Sequence, residues 1–271
     1  MPALTLTKHH GWGNDFLVLI DLGDGHGGDT DAMARALCPR HTGIGADGLI
    51  RVTPGGDAAD LTMELRNADG GLAEMSGNGI RCLAQAAADA GLLAGKQCRV
   101  ATGGGVRELV VHPEHQPGVR TVDVNMGPVD VGEDMPQESD GYRARRVSIG
   151  NPHLVLCGPD PDTVEVARLG QEIQGVHAGG INVEFVMAGP GLDEITMRVW
   201  ERGVGETLSC GTGACAAAAA AHAWQLVGPT VTVHQRGGPA RVELGETVVL
   251  SGPAVRVAAI EVDWNGGATW F

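Results

Sequence analysis

The sequence has little lysine: Lys8 and Lys96 stand against seventeen arginines, and neither lies in a recognisable cofactor motif. Schiff-base chemistry on pyridoxal phosphate is therefore not expected, and no other cofactor is implied. Paired cysteine spacings are also missing. Cys38, Cys82, Cys98, Cys157, Cys210 and Cys215 form no Cys-x-x-Cys pair and no Cys/His ligand set, which argues against a disulfide framework and against any metal site. No apolar stretch approaches the roughly 20 residues a membrane-spanning helix needs, and the most apolar run, Ala214 to Trp224, reads as a buried helix. Met1 to His10 lack the charged-then-apolar order of a signal peptide, so a cytoplasmic protein is expected. Net positive charge is absent too. The formal charge is −14 without an acidic tail, and neither nucleic acid nor an anionic membrane is expected as a partner.

What is present is a chain of 271 residues, 43% hydrophobic and 19% charged, long enough for one large domain or two smaller ones with a real core. It carries an internal repeat. Gly13-Asn14 before the apolar run Phe16 to Leu19 matches Gly150-Asn151 before His153 to Leu156. Gly45 to Ile50 aligns with Ile181 to Val186, and Ser76-Gly77-Asn78-Gly79 before an alanine-rich stretch matches Cys210-Gly211-Thr212-Gly213 before another. Gly104-Gly105 and Gly237-Gly238 give each half a hairpin signal.

Four blocks in one order imply two homologous halves. Alternating segments such as Thr121 to Asn125 and Thr230 to His234 read as half-buried strands, and each half has one long alanine-rich helix after its x-Gly-x-Gly turn. The expected fold is α+β, with two pseudo-symmetric domains, each a mostly mixed or antiparallel barrel-like sheet around one central helix. The halves are placed at 1–121 with a C-terminal segment of about 259–271, and at 122–258. Val129 to Tyr142, with Pro136 and acidic neighbours, reads as the connector.

The two x-Gly-x-Gly turns carry the chemistry. A glycine pair admits close approach of a ligand to the backbone, and the first N–H groups of the following helix have no intrahelical partner, so each turn can hold a carboxylate. Cys210 opens the second turn, where the helix terminus is expected to lower its thiol pKa from about 8.5 toward neutrality. Read blandly it is a small buried hydrophobe, the reading given to Cys82, Cys98, Cys157 and Cys215. Ser76 holds the matching place in the first half. A pseudo-twofold arrangement would set residues 76 and 210 on opposite faces of one anion in a cleft between the halves, which suits proton removal and return at a stereocentre.

At these residues the chain resembles diaminopimelate epimerase. The resemblance rests on His10-Gly11-Trp12-Gly13-Asn14-Asp15-Phe16, Asn67 to Gly70, Ser76 to Cys82, Gly150-Asn151-Pro152-His153, and Glu201-Arg202-Gly203 through Cys210 to Ala216. It implies a cofactor-independent isomerase that interconverts LL- and meso-diaminopimelate for lysine and peptidoglycan synthesis, working as a homodimer. It further implies that Cys210 and residue 76 are the acid/base pair. Asn14, Asn67, Asn151, Asn182, Glu201 and Arg202 would bind the two amino acid ends, Arg202 clamping the distal carboxylate. Backbone N–H groups at Gly77, Asn78, Gly211 and Thr212 would hold the reacting α-carboxylate, and His153 and Glu201 would tune the thiols. An asparagine offers donor and acceptor to a zwitterion, and a guanidinium fork matches a carboxylate.

Two departures from the family pattern stand out. Ser76 takes the place of the first catalytic cysteine, and a hydroxyl is far less acidic than a thiol, so this position is read as engineered or weakened. The alternatives this leaves are a dehydratase or isomerase on the same scaffold, or a catalytically dead amino-acid-binding protein. His9 replaces an apolar residue and is expected to be surface variation.

Overall fold

The computed structural model describes residues 4–23, 28–135 and 141–264, and within it the chain divides into two compact units, Met1–Val124 with Pro253–Phe271, and Asn125–Gly252. In chain order the first unit contributes β1 (Leu4–Gly11), β2 (Asn14–Ile20), α1 (Thr30–Leu37), β3 (Gly48–Pro54), β4 (Leu61–Asn67), β5 (Leu72–Ala73), α2 (Gly77–Asp89), β6 (Gln97–Thr102), β7 (Gly105–Val111) and most of β8 (Val119–Gly127). The second contributes β9 (Asp130–Met135), β10 (Arg143–Ser148), β11 (Pro152–Cys157), α3 (Val166–Val176), β12 (Asn182–Ala188), β13 (Glu194–Glu201), β14 (Gly205–Thr207), α4 (Gly211–Ala223), β15 (Thr230–His234) and β16 (Ala240–Glu243). The last strand, β17 (Val248–Val262), starts in the second unit and ends in the first.

In the first unit the pairings β1–β2, β2–β3, β3–β4, β4–β6, β6–β7, β7–β8, β8–β17 and β17–β1 return to their start, so the sheet closes on itself. β2–β3 and β4–β6 are parallel. Each parallel pair is bridged by a helix, as a same-direction return requires. The second unit repeats this order through β10–β11, β11–β12, β12–β13, β13–β15, β15–β16 and β16–β17, with the parallel pairs now β11–β12 and β13–β15.

The alanine-rich helices run through the middle of these sheets. α2 packs on β1, β2, β3, β4 and β7 and is buried from Gly77 to Ala87. α4 packs on β9 to β13, β15 and β16, and Ala216 to Ala221 are all buried. Alanine combines the best helix propensity with a side chain small enough to let strands surround the helix on all sides. Both helices end alike, on a residue with positive φ: Gly91 at 71° after α2 and Gln225 at 62° after α4. Leu92 N–H bonds Ala87 O and Leu226 N–H bonds Ala221 O, which satisfies the last carbonyls.

Two expectations are corrected. Val129 to Tyr142 is not a connector throughout, because Asp130–Met135 is strand β9, laddered to β10. Its acidic residues sit on a solvent-facing strand, where Asp134 pairs with Arg143 and Arg145. Residues 136–140 lie outside the described residues. The second repeat block is also shifted: β2–β3 sets Phe16 opposite Gly48 and β11–β12 sets His153 opposite Asn182, so Gly48 corresponds to Asn182 rather than to Glu184. A slip of two residues keeps every side chain on its face, and the apolar pattern does not register it.

Candidate active site

Ser76 and Cys210 are the N-caps of α2 and α4, and they share a backbone conformation: φ −133°, ψ 124° at Ser76 and φ −131°, ψ 119° at Cys210. Ser76 Oγ accepts from Gly79 N–H at 3.1 Å, and Cys210 Sγ accepts from Gly213 N–H at 3.3 Å. Glycine at both third positions leaves room for the surrounding side chains. A Cβ on Gly79 would come within 3.2 Å of Ile50, Met63 and Ser76, and one on Gly213 within 2.8 Å of Glu184 Oε1.

Within the second unit, Cys210 is only 5% exposed. Its N–H donates to Gln235 Oε1 at 2.8 Å, and its sulfur lies 3.5 Å from Thr212 Oγ1. Glu201, at the end of β13, accepts from Thr207 Oγ1 at 2.5 Å and acts on the Cys210 thiol as a neighbouring charge. Asn151 Nδ2 donates to Thr212 Oγ1 at 3.4 Å, and its Oδ1 lies 3.0 Å from His153 Nε2. His153 Nδ1 is 2.7 Å from Glu184 Oε1, both residues being fully buried.

The expected lowering of the Cys210 pKa is not found. Burial pushes the thiol well above its usual range, and the Glu201 and Glu184 carboxylates push it further. The Thr212 hydroxyl and Gly213 N–H pull it back only in part. Desolvation of a buried thiolate outweighs the helix terminus here. Burial also raises the carboxyls of Glu201 and Glu184 above the usual carboxylate range, so the neighbours of the thiol hold a proton more readily than free carboxyls do.

Asn182, also in the second unit, is 5% exposed and commits its amide to backbone: Nδ2 donates to Pro152 O and Oδ1 accepts from Arg202 N–H, each at 2.9 Å. It thereby fixes the turn that carries Glu201 and Arg202. Arg202 is exposed and makes no ion pair among the described residues; one guanidinium nitrogen, Nη1, donates to Gly179 O at 3.5 Å, and its charge is left for a ligand.

In the first unit, Asn14 Nδ2 donates to Asp47 Oδ2 at 2.7 Å and Asn14 Oδ1 accepts from Asn78 Nδ2 at 3.3 Å. Asn78 Oδ1 takes a bond from Arg81 Nη2 at 2.6 Å, and the fully buried Arg81 also donates to Gly77 O at 2.8 Å and lies 3.9 Å over the Trp12 ring. Behind Asn14 is an ion network. Against the burial that would raise it, Arg40 and Lys8 hold the Asp15 carboxyl down to about 2, and Arg40 also bridges to Asp47. Asn67, at the exposed end of β4, makes no side-chain bond to the other candidates among the described residues. His9 is not on the surface: it is fully buried, with Nδ1 2.9 Å from Gln85 Oε1 and Nε2 2.9 Å from Thr7 Oγ1.

Glu184, Gln235, Thr207 and Arg81 belong to the site without standing out in the sequence as site residues. Glu184 did leave a signal, as a lone acid in the apolar run Val183 to Val186. Among the described residues no cluster of three or more His, Cys, Asp or Glu side chains could hold a metal ion. No helix is long and apolar enough to cross a membrane.

Known proteins resemble this chain at both levels. Solved structures with the same fold include a hydroxyproline epimerase from Agrobacterium vitis, with TM-score 0.71, 18% identity, and 98% and 94% of the two chains covered. A PhzF-family phenazine biosynthesis protein from Bacillus anthracis also has TM-score 0.71, at 14% identity over 97% and 99% of the chains. At such identities the likeness is one of fold. Sequence relatives are much nearer. The diaminopimelate epimerase of Desulforudis audaxviator is 39% identical over 94% of this chain and 97% of its own, and that of Pelotomaculum thermopropionicum 40% over 96% and 99%. The family model for diaminopimelate epimerase matches residues 6–131 and 145–257. Spanning both units and both capped turns, this agreement makes the chain a member of the diaminopimelate epimerase family of isomerases.

Proposed function

We propose that the protein interconverts LL- and meso-diaminopimelate by proton transfer at the α-carbon, without metal or pyridoxal phosphate, in lysine and peptidoglycan biosynthesis. The observation that carries the reading is the setting of Cys210: a thiol capping α4, beside the Glu201 carboxyl, whose own proton affinity is raised by burial. In the ligand-free state the thiol keeps its proton. A zwitterionic substrate covering the site would bring its carboxylate to the first-turn N–H groups of Gly211 and Thr212. The Cys210 proton then passes to Glu201, and the thiolate removes the α-proton. The α-carboxylate is held by N–H groups of the two turns, those of Gly77 and Asn78 in the first unit included. The asparagines Asn14, Asn67, Asn151 and Asn182 are assigned to positioning the two amino acid ends, and the exposed Arg202 to the distal carboxylate.

The reaction requires a second group to reach the opposite face of the same carbon, and Ser76 is assigned to it. A hydroxyl without an adjacent base returns a proton slowly, so slow inversion is the expected behaviour. A cytoplasmic homodimer belongs to the same reading. The experiment is incubation of LL-diaminopimelate in heavy water. Meso product carrying α-deuterium supports epimerisation, exchange without inversion means Ser76 is inert, and neither means a binding protein. A new absorbance on a β-hydroxy amino acid would indicate dehydration instead.

A further inference from the structure

Behind Cys210 lies a line of side chains whose proton positions follow from their geometry. Glu184 and His153 are both fully buried, and the Oε2 of Glu184 has no hydrogen-bond partner among the described residues. His153 faces Glu184 Oε1 with Nδ1 at 2.7 Å and Asn151 Oδ1 with Nε2 at 3.0 Å. An amide oxygen only accepts, so with the Asn151 amide in this orientation Nε2 carries a proton. Asn151 uses its Nδ2 as donor to Thr212 Oγ1 at 3.4 Å, which leaves the threonine its own proton to give, and Cys210 Sγ lies 3.5 Å away. With Nε2 protonated, one proton remains between Nδ1 and Oε1. It makes either a neutral imidazole and a carboxylic acid or an imidazolium and a carboxylate, and the pair carries no net charge in both cases.

We propose that Glu184 is a positioning residue: by sharing a single proton with His153 Nδ1 it keeps Nε2 protonated, and so orients a row of hydrogen bonds through Asn151 and Thr212 whose last donor ends on the Cys210 sulfur. With the opposite polarity Nε2 would be bare, the Asn151 amide would turn, and Thr212 would donate to it rather than to sulfur. The thiolate would then lose one of its two donors, the other being Gly213 N–H. Glu184 would also remain as an uncompensated buried charge, which is strongly disfavoured. The raised proton affinity of Glu184 agrees with a proton held there. The charged neighbours of the pair are Glu201 and Cys210, and Glu201 is left as the carboxylate that exchanges protons with the thiol.

The repeat supports this assignment independently. The strand registers equate His153 with Phe16 and Glu184 with Ile50, so the first unit has two apolar side chains where the second has the proton-sharing pair. The device exists only in the second unit among the described residues, behind Cys210. Its catalytic consequence rests on the reading of Cys210 as the group that takes the α-proton; the proton positions themselves do not.

The test is long-range proton–nitrogen NMR at pH 7.5 on ligand-free protein labelled with ¹⁵N-histidine, with the His153 signals assigned by their loss in His153→Gln. A protonated Nε2 is expected; an unprotonated Nε2 overturns the proposal. Glu184→Gln should keep the Nε2–H signal, because a glutamine amide can donate to Nδ1 where the shared proton stood, and loss of the signal overturns it as well. Thr212→Val should move the rising limb of α-proton exchange, where the thiolate forms, up by about one pH unit and Thr212→Ser should restore it, as expected for a single donor to a thiolate. An unmoved limb removes the last link. If the wild-type protein exchanges no α-proton of diaminopimelate, the epimerase reading fails while the NMR result still decides the proton positions.

Discussion

Replacing Ser76 by cysteine gives the sharpest measure of how far the hydroxyl limits turnover. The site is prepared for sulfur: φ and ψ at Ser76 and Cys210 differ by at most a few degrees, and the cap bonds are 3.1 Å and 3.3 Å long. Thiol for hydroxyl should therefore cost about 1 kcal/mol or less of capping energy, or roughly 2–4 °C in Tm for a chain of this size. The chemical gain is far larger. A positioned acid or base contributes roughly 10²–10⁴-fold, so Ser76→Cys should raise epimerisation of LL-diaminopimelate by two orders of magnitude or more. The assay follows meso product by chiral chromatography and α-deuterium by mass spectrometry in heavy water, beside a melting curve for each protein. Ser76→Ala, which removes both the hydroxyl and the cap acceptor, should abolish inversion while Cys210-side exchange persists. A Ser76→Cys protein that melts with the wild type and inverts no faster would refute the two-sided mechanism for this chain.

Arg202→Ala should weaken diaminopimelate by about 10- to 100-fold in KM while a monocarboxylic analogue is little affected, since only the longer substrate reaches the guanidinium; equal losses would make Arg202 structural. Glu201→Gln removes a carboxylate that pushes the Cys210 thiol up, so the pH midpoint for alkylation of Cys210 should fall while α-proton exchange is lost. A midpoint that stays or rises would show that Glu201 is uncharged in the free protein. Asp15→Asn should cost about 2 kcal/mol of stability at pH 7, because the folded carboxyl sits at about 2 against 3.8 when free. A depressed carboxyl stabilises above its unfolded value, so the difference between the two proteins in urea unfolding should be full above pH 5 and shrink as pH falls toward 2. A difference independent of pH would mean that packing around Asp15 is responsible instead.

The local and repeating part of this protein is legible in its amino-acid order. Turn glycines, alternating strands and two alanine-rich runs behind x-Gly-x-Gly turns are short-range signals, and they sufficed for an α+β fold of two similar halves, each with a helix at its centre. Tertiary structure decided what depends on partners distant in the chain. His153 meets Glu184 across a parallel pair that no local pattern announces, and Arg81 and His9 are buried because α2 is enclosed by strands from the whole first unit. The two-residue slip between the repeats lies below the resolution of an alternating pattern, which every even shift satisfies. The Cys210 thiol shows the limit most directly. Its place at a helix terminus is visible in the sequence and argues for a lowered pKa, but the sign of the shift is set by desolvation and by two carboxylates that only folding brings to it.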